Sequence, residues 1–344
     1  MKMIHCANIL LGEIGDLNMS YDRLVLWQKM RVEAFELLLK TAKKENVRLV
    51  LISGGLFADN FVHEAIVEQC MQLIRSCSRI QIVLVPNESE CRLLLAVDDL
   101  PDNFHMLAPG NESFRAEHLC IALPTELALP DGCYTIVVTS QSDDGGHNAN
   151  QLPFSLHGRK GNWFACNGRP ATQFEPVADE YRSDVVAPLE KAEFSEASSG
   201  YWIWDIKNAK TVHREWKPQS IAAYYTQMVD VTNAADFQEV CRRVVKETLQ
   251  YGERDLVRVV LTGAVPVGVY INTQAIHNAI AERFLYVEVY NDCQLSIDEG
   301  IENDISLQGV FVQKVLADET LSENEKARII RCGWNALNGK ELFE

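Results

Sequence analysis

Apolar positions along the first hundred residues alternate between two periods. The opening MKMIHCANILLG is short and β-like, LVLWQKMRVEAFELLLKTAKKEN then places Phe35, Leu38 and Ala42 at helical spacing, and VRLVLIS is a near-continuous β-rich run. A strand buried on both faces carries such an unbroken run, so the pattern predicts a β-α-β unit in a parallel sheet. HEAIVEQCMQLIRSC sets Ile66, Cys70, Leu73 and Cys77 on one helical face, and IQIVLVPNES supplies another strand ending in a Pro-Asn turn. Three strands therefore end in polar or glycine-bearing loops, at 8–12, 54–60 and 86–90. In open α/β sheets those carboxyl ends are where ligands bind.

A second strand-helix alternation starts near residue 222. Asp236 stands near a helix start, Phe237, Val240, Cys241 and Val244 form one apolar face, and LVRVVLTG is a strong strand. The chain is thus expected to carry a main domain over 1–221, a small α/β domain over 222–296 and a helical tail over 297–344. In the tail, Leu307, Phe311 and Val315 recur at four-residue steps. Ser322 and Glu325 then stand in capping-box spacing ahead of a stripe of Ala327, Ile330, Trp334 and Leu337, with Gly339 as a stop.

Composition narrows the functions. Of 344 residues 47% are hydrophobic and 23% charged, ordinary for a globular protein. The net charge of -16 opposes sequence-independent attraction to nucleic acid, which relies on Lys and Arg displacing counterions. The best linear basic segment is HGRKGNWFACNGR, where Arg159, Lys160 and Arg169 flank Trp163. Ten cysteines are scattered without a C-x-x-C pair, which predicts free, largely buried thiols. With one early lysine, no small-residue cleavage site and no apolar run of about 18 residues, the expectation is a cytoplasmic protein without membrane contact.

IHCANILLG, RLVLISGGLFADN and IVLVPNESE, in this order and at these separations, resemble the first three motifs of calcineurin-like metallophosphoesterases. The resemblance is specifically to the branch of SbcD-type DNA exonucleases, where the strings look like I-H-x-A-D-x-H-L-G, L-I-A-G-D-L-F-D and G-N-H-D. YTIVVTS, NWFACNGRP and GYWIWDI are weaker matches further on, so the resemblance spans about the first 215 residues. It implies an α/β fold with a two-sheet sandwich core, a small α/β capping domain and C-terminal helices.

The family's metal ligands, carried over position by position, are nearly all absent. The first aspartate falls on Asn8, its partnering histidine on Leu10, and the bridging aspartate on Gly55, with Ala58 at the second acidic position. Asn87 matches the metal-binding asparagine, but Pro86, Glu88 and Ser89 replace Gly, His and Asp; the last three histidines fall on or beside Thr139, Gly168 and Pro170. A two-metal site needs carboxylates to offset the charge of ions about 4 Å apart and imidazoles to fix their geometry. Asn8 offers only a neutral oxygen, and Leu10, Gly55, Gly168 and Pro170 offer no side-chain ligand. A single relocated ion on Glu88, Glu90, His5 or Cys6 is opposed by the strand period, which sends His5 and Cys6 to opposite faces. Plainer roles are a turn with unusual backbone angles for Gly54-Gly55, a side-chain-satisfied turn for Asn87, and solvation for His147 and His157.

The resemblance, with its metal ligands missing, thus implies a pseudo-enzyme without a cofactor, a noncatalytic subunit of a DNA-processing or DNA-repair complex. The resemblance implies an SbcC-like coiled-coil ATPase as partner, held through Phe311, Val315, Ile330, Trp334 and Leu337, with DNA met weakly or through the complex; a homodimer is left open. The same stripe could instead pack on its own chain. Two rival readings are a working manganese-dependent exonuclease, and a phosphate- or nucleotide-binding module with donors around Asn8, Asn87 and Arg169.

Overall fold

The opening strand-helix alternation builds one layered unit. β1 (Lys2–Cys6), α1 (Tyr21–Lys44), β2 (Leu49–Ile52), α2 (Glu64–Arg75), β3 (Gln81–Leu84), α3 (Glu88–Leu95) and β4 (Phe104–Met106) follow in order, and the four strands pair in parallel. The structure, a computed structural model, describes residues 1–14, 19–58, 61–123, 133–139, 163–167, 181–185, 189–191, 194, 198–208, 212–267, 269–296, 304–337 and 339. It is a mixed α/β chain with several multi-strand sheets, and it divides into two compact units, Met1–Ala222 and Ala223–Glu344.

In the first unit, β5 (Ser113–Ala116), β6 (Leu119–Ala122), β7 (Tyr134–Thr139), β8 (Trp163–Asn167) and β9 (Tyr181–Val185) form a second sheet in that order. β10 (Gly200–Ile206) and β11 (Val212–Pro218) return to the first sheet, giving the order β11-β10-β1-β2-β3-β4 with β10 antiparallel to β1. Strand alternation divides the first sheet between two cores. Ile4, Cys6, Val50, Ile52, Ile82 and Leu84 face the helices, meeting Phe35, Leu38 and Ala42 of α1 and Cys70 and Ile74 of α2. Met3, Leu49, Leu51, Val83 and Trp204 face Leu119, Ile121, Ile136 and Val138 of the second sheet. All four residues of β2 are fully buried, as its unbroken apolar run requires.

In the second unit, β12 (Tyr224–Asp230), α4 (Phe237–Glu247), β13 (Leu256–Thr262), β14 (Ala264–Pro266), α5 (Thr273–Ile280), β15 (Tyr286–Asn291) and β16 (Gln294–Ser296) follow in order. A three-stranded parallel sheet, β12-β13-β15, packs Val229, Val257, Val259, Leu261 and Val287 against Val240 and Val244 of α4 and Ile276 and Ile280 of α5. Asp236 caps α4 by accepting from the Glu239 amide at 2.8 Å.

α6 (Leu307–Leu316) and α7 (Glu323–Leu337) close the second unit. The Ser322 and Glu325 capping box forms, with Ser322 N donating to Glu325 Oε2 at 2.9 Å. Phe311, Val315, Ile330 and Trp334 pack with Val312, Val267 and Leu295 in one cluster, and Ile330 is fully buried. A Cβ at Gly333 would lie 2.1 Å from Phe311 Cζ, so this glycine lets the ring lie against α7. The tail stripe is therefore engaged within its own unit; Leu337 keeps 37% of its surface exposed.

Among the described residues no helix is long and apolar enough to cross a membrane. Cys6, Cys70, Cys77 and Cys120 are free and buried. Burial alone pushes the Cys6 thiol far up, and for Cys70 the Glu90 carboxylate adds to it.

Candidate functional site

The loops after β1 and β2 carry most of the positions singled out by sequence, and their backbones stay zipped together beyond the strands. Ser53 N donates to Cys6 O at 3.0 Å, Asn8 N to Gly54 O at 3.0 Å, Leu10 N to Gly55 O at 2.8 Å, Leu11 N to Leu56 O at 2.9 Å, and Ala58 N to Leu11 O at 3.0 Å. Ile9, Leu11, Leu56, Phe57 and Ala58 fill the space around this ladder and are all buried. Among the described residues, the strand ends where the sequence pattern puts a ligand site form an apolar-lined seam.

Backbone angles explain the glycines. Gly54 and Gly55 have φ of +98° and +69°, and Asn8 and Leu10 share the left-handed region at +49° and +53°. Asparagine tolerates that conformation, whereas leucine is strained there. A Cβ on Gly55 would stand 2.6 Å from Asn8 Oδ1 and 2.9 Å from Asn8 Cα. No side chain fits at position 55 while the ladder holds.

Glu90, only 1% exposed, lies against the seam. Its Oε1 accepts from Phe57 N at 2.9 Å, and its Oε2 accepts from Asn87 N at 2.9 Å and Gly55 N at 3.3 Å. Burial raises its pKa above the ordinary carboxylate value, opposed by amide donation from Asn87, Phe57, Leu56 and Gly55. These amides form an anion-favouring nest, opposite in polarity to a cation cage, and the chain fills it with its own carboxylate.

Asn87 is the N-cap of α3. Its Oδ1 accepts from Glu90 N and Ser89 Oγ, each at 2.8 Å, which completes a capping box with Glu90. Glu88 is exposed and pairs with Arg92 one turn on. His5 is buried, with Nε2 2.9 Å from Ser53 Oγ and its ring edge-on to Trp204. Burial, aided by Arg214, lowers its pKa to about 3, so it is neutral at physiological pH. Cys6 belongs to the core on the helical side, as the strand period predicts. Thr139 ends β7 opposite Asn167, while Gly168, Pro170, His147, His157, Arg159, Lys160 and Arg169 lie outside the described residues. Among the described residues, no three His, Cys, Asp or Glu side chains are grouped so as to hold a metal ion.

Two buried charges escaped sequence reasoning. Arg31, 1% exposed, donates from Nη1 to Ile9 O at 3.2 Å and from Nη2 to Lys191 O at 3.5 Å, with its guanidinium 4.7 Å from the Trp27 ring centroid. It thus ties the seam to the segment at 189–191, where Leu189 N donates to Ala7 O at 3.2 Å. Glu190, 3% exposed, accepts from Ile221 N at 3.0 and 2.9 Å. The signal for Arg31 was its place four residues after Trp27 on the buried stripe of α1. Glu90, named in the sequence only as a possible ion ligand, carried the Asn-x-x-Glu spacing of a capping box.

No protein-family model matches the chain, and no curated protein matches it.

Proposed function

We propose that this chain is a noncatalytic relative of SbcD-type exonucleases, with a metallophosphoesterase-like sandwich as its first unit, serving as a subunit of a DNA-processing or DNA-repair assembly. The observation that carries the noncatalytic reading is Gly55, whose missing side chain is required by contact with Asn8. The position that the resemblance assigns to a bridging aspartate thus has no room for one. The amides beside it are satisfied by Glu90, which disfavours a free phosphate or nucleotide in the same place. Parallel β1 to β4, a second sheet across a shared core and ligand-type loops at the strand ends suit the sandwich reading.

The partner implied by the resemblance is an SbcC-like coiled-coil ATPase. With Phe311, Val315, Ile330 and Trp334 engaged inside the hairpin, its contacts would fall on the outward apolar residues Leu307, Val310, Ile329 and Leu337. Co-purification of the full chain with such an ATPase tests this. Leu307→Glu with Ile329→Glu should abolish recovery at unchanged melting temperature; recovery unaffected by that pair would remove the docking assignment.

A further inference from the structure

At the end of the first sheet opposite the seam lies a cavity of about 470 Å³, half open to solvent. Its wall comes from the last turn of α1 (Lys43), the residues leading into β2 (Asn46, Val47, Arg48), and the turn between α2 and β3 (Ser76 to Ile80). Val47, Cys77 and Ile80 make a buried floor, and Lys43, Arg48 and Arg79 are exposed around it. No carboxylate lines it. On a chain of net charge -16 this stretch is locally basic, whereas Lys2 pairs with Glu45 and Arg75 with Asp99 nearby. Among the described residues the Arg48 and Arg79 guanidinium groups make no ion pair or side-chain hydrogen bond, and the Lys43 ammonium reaches Ser76 Oγ, at 3.5 Å.

Two helices end here, and their carboxyl-terminal dipoles attract cations, but their carbonyls are already served. Thr41, Ala42 and Lys43 accept from the amides of Glu45, Val47 and Asn46. Gln72 and Ile74 accept from the amides of Ser76 and Cys77, and Leu73 accepts from Ser76 Oγ. Buried Asn103 fixes the turn by donating to Ile74, Cys77 and Ile80 carbonyls at 3.1, 3.2 and 2.9 Å. The three cations thus surround a braced frame whose carbonyls do not need them as hydrogen-bond donors.

We propose that this cavity binds a small organic ligand carrying two or more phosphate groups. Two guanidinium forks and an ammonium suit several phosphate oxygens, the Ser76 and Ser78 hydroxyls add donors, and the apolar floor takes the organic part. The volume falls in the small-molecule range rather than that of an extended groove. The reading is independent of the seam and of any partner.

Inorganic pyrophosphate titrated into the full chain by calorimetry at constant ionic strength tests it. Saturable binding near one per chain is expected, weakened about tenfold or more in Arg48→Gln/Arg79→Gln. Both positions are exposed, so the variant's melting temperature should match the parent's. Absence of saturable binding, or equal binding by the variant, would overturn the proposal. So would a single-stranded oligonucleotide that binds more tightly than pyrophosphate through the same two arginines, since that marks a polynucleotide surface.

Discussion

Replacing Gly55 by aspartate restores the group that a two-metal phosphoesterase would need, and the seam predicts that the fold rejects it. At φ +69° an L-residue costs about 1–2 kcal/mol over glycine. The new Cβ also stands 2.6 Å from Asn8 Oδ1 and 2.9 Å from Asn8 Cα, and Asn8 cannot retreat without breaking its 3.0 Å bond to Gly54 O. Such overpacking costs about 1–3 kcal/mol. Gly55→Ala should therefore lose about 2–5 kcal/mol, a fall of about 5–15 °C in melting temperature for a unit of this size. Gly55→Asp should lose more, because its carboxylate enters a buried seam beside that of Glu90. Thermal and urea unfolding of both variants with and without manganese measure this. Gly55→Ala at parental stability, or Gly55→Asp stabilised by manganese, would refute the reasoning.

Glu90→Ala strips the acceptor from a set of buried amides and should destabilise by about 3 kcal/mol or more, with Glu90→Gln milder; chemical denaturation at pH 7 checks the order. Because burial raises the Glu90 pKa, its linked contribution is fully present below its ordinary value of 4.5 and is lost as pH rises through the raised one. The stability difference between parent and Glu90→Gln should therefore shrink as pH rises above about 4.5, and a difference that grows would contradict the assignment. Ile330→Ala should cost about 2–4 kcal/mol by emptying the hairpin core, read as early loss of α6 and α7 protection in hydrogen exchange.

Repetitive features were legible in the sequence and single contacts were not. The unbroken run at β2, the stripe of Phe35, Leu38 and Ala42, and the Ser322–Glu325 box each report a period or spacing that local structure obeys. The closed seam reports none, since its cause is the approach of Asn8 to Gly55 across a gap in sequence. Glycine there reads equally as a turn or as a lost ligand until the distance is known. The tail shows the same limit: spacing gave the apolar stripe, but it takes the shared cluster of both helices and the Phe311 ring against Gly333 to show that they pack on each other.

The most direct test of the noncatalytic reading is to dialyse the purified full chain against manganese, measure bound metal by elemental analysis, and assay the same sample on single- and double-stranded DNA. A closed seam predicts no manganese pair and no metal-dependent degradation of either substrate. Two manganese ions per chain together with metal-dependent DNA cleavage would contradict it.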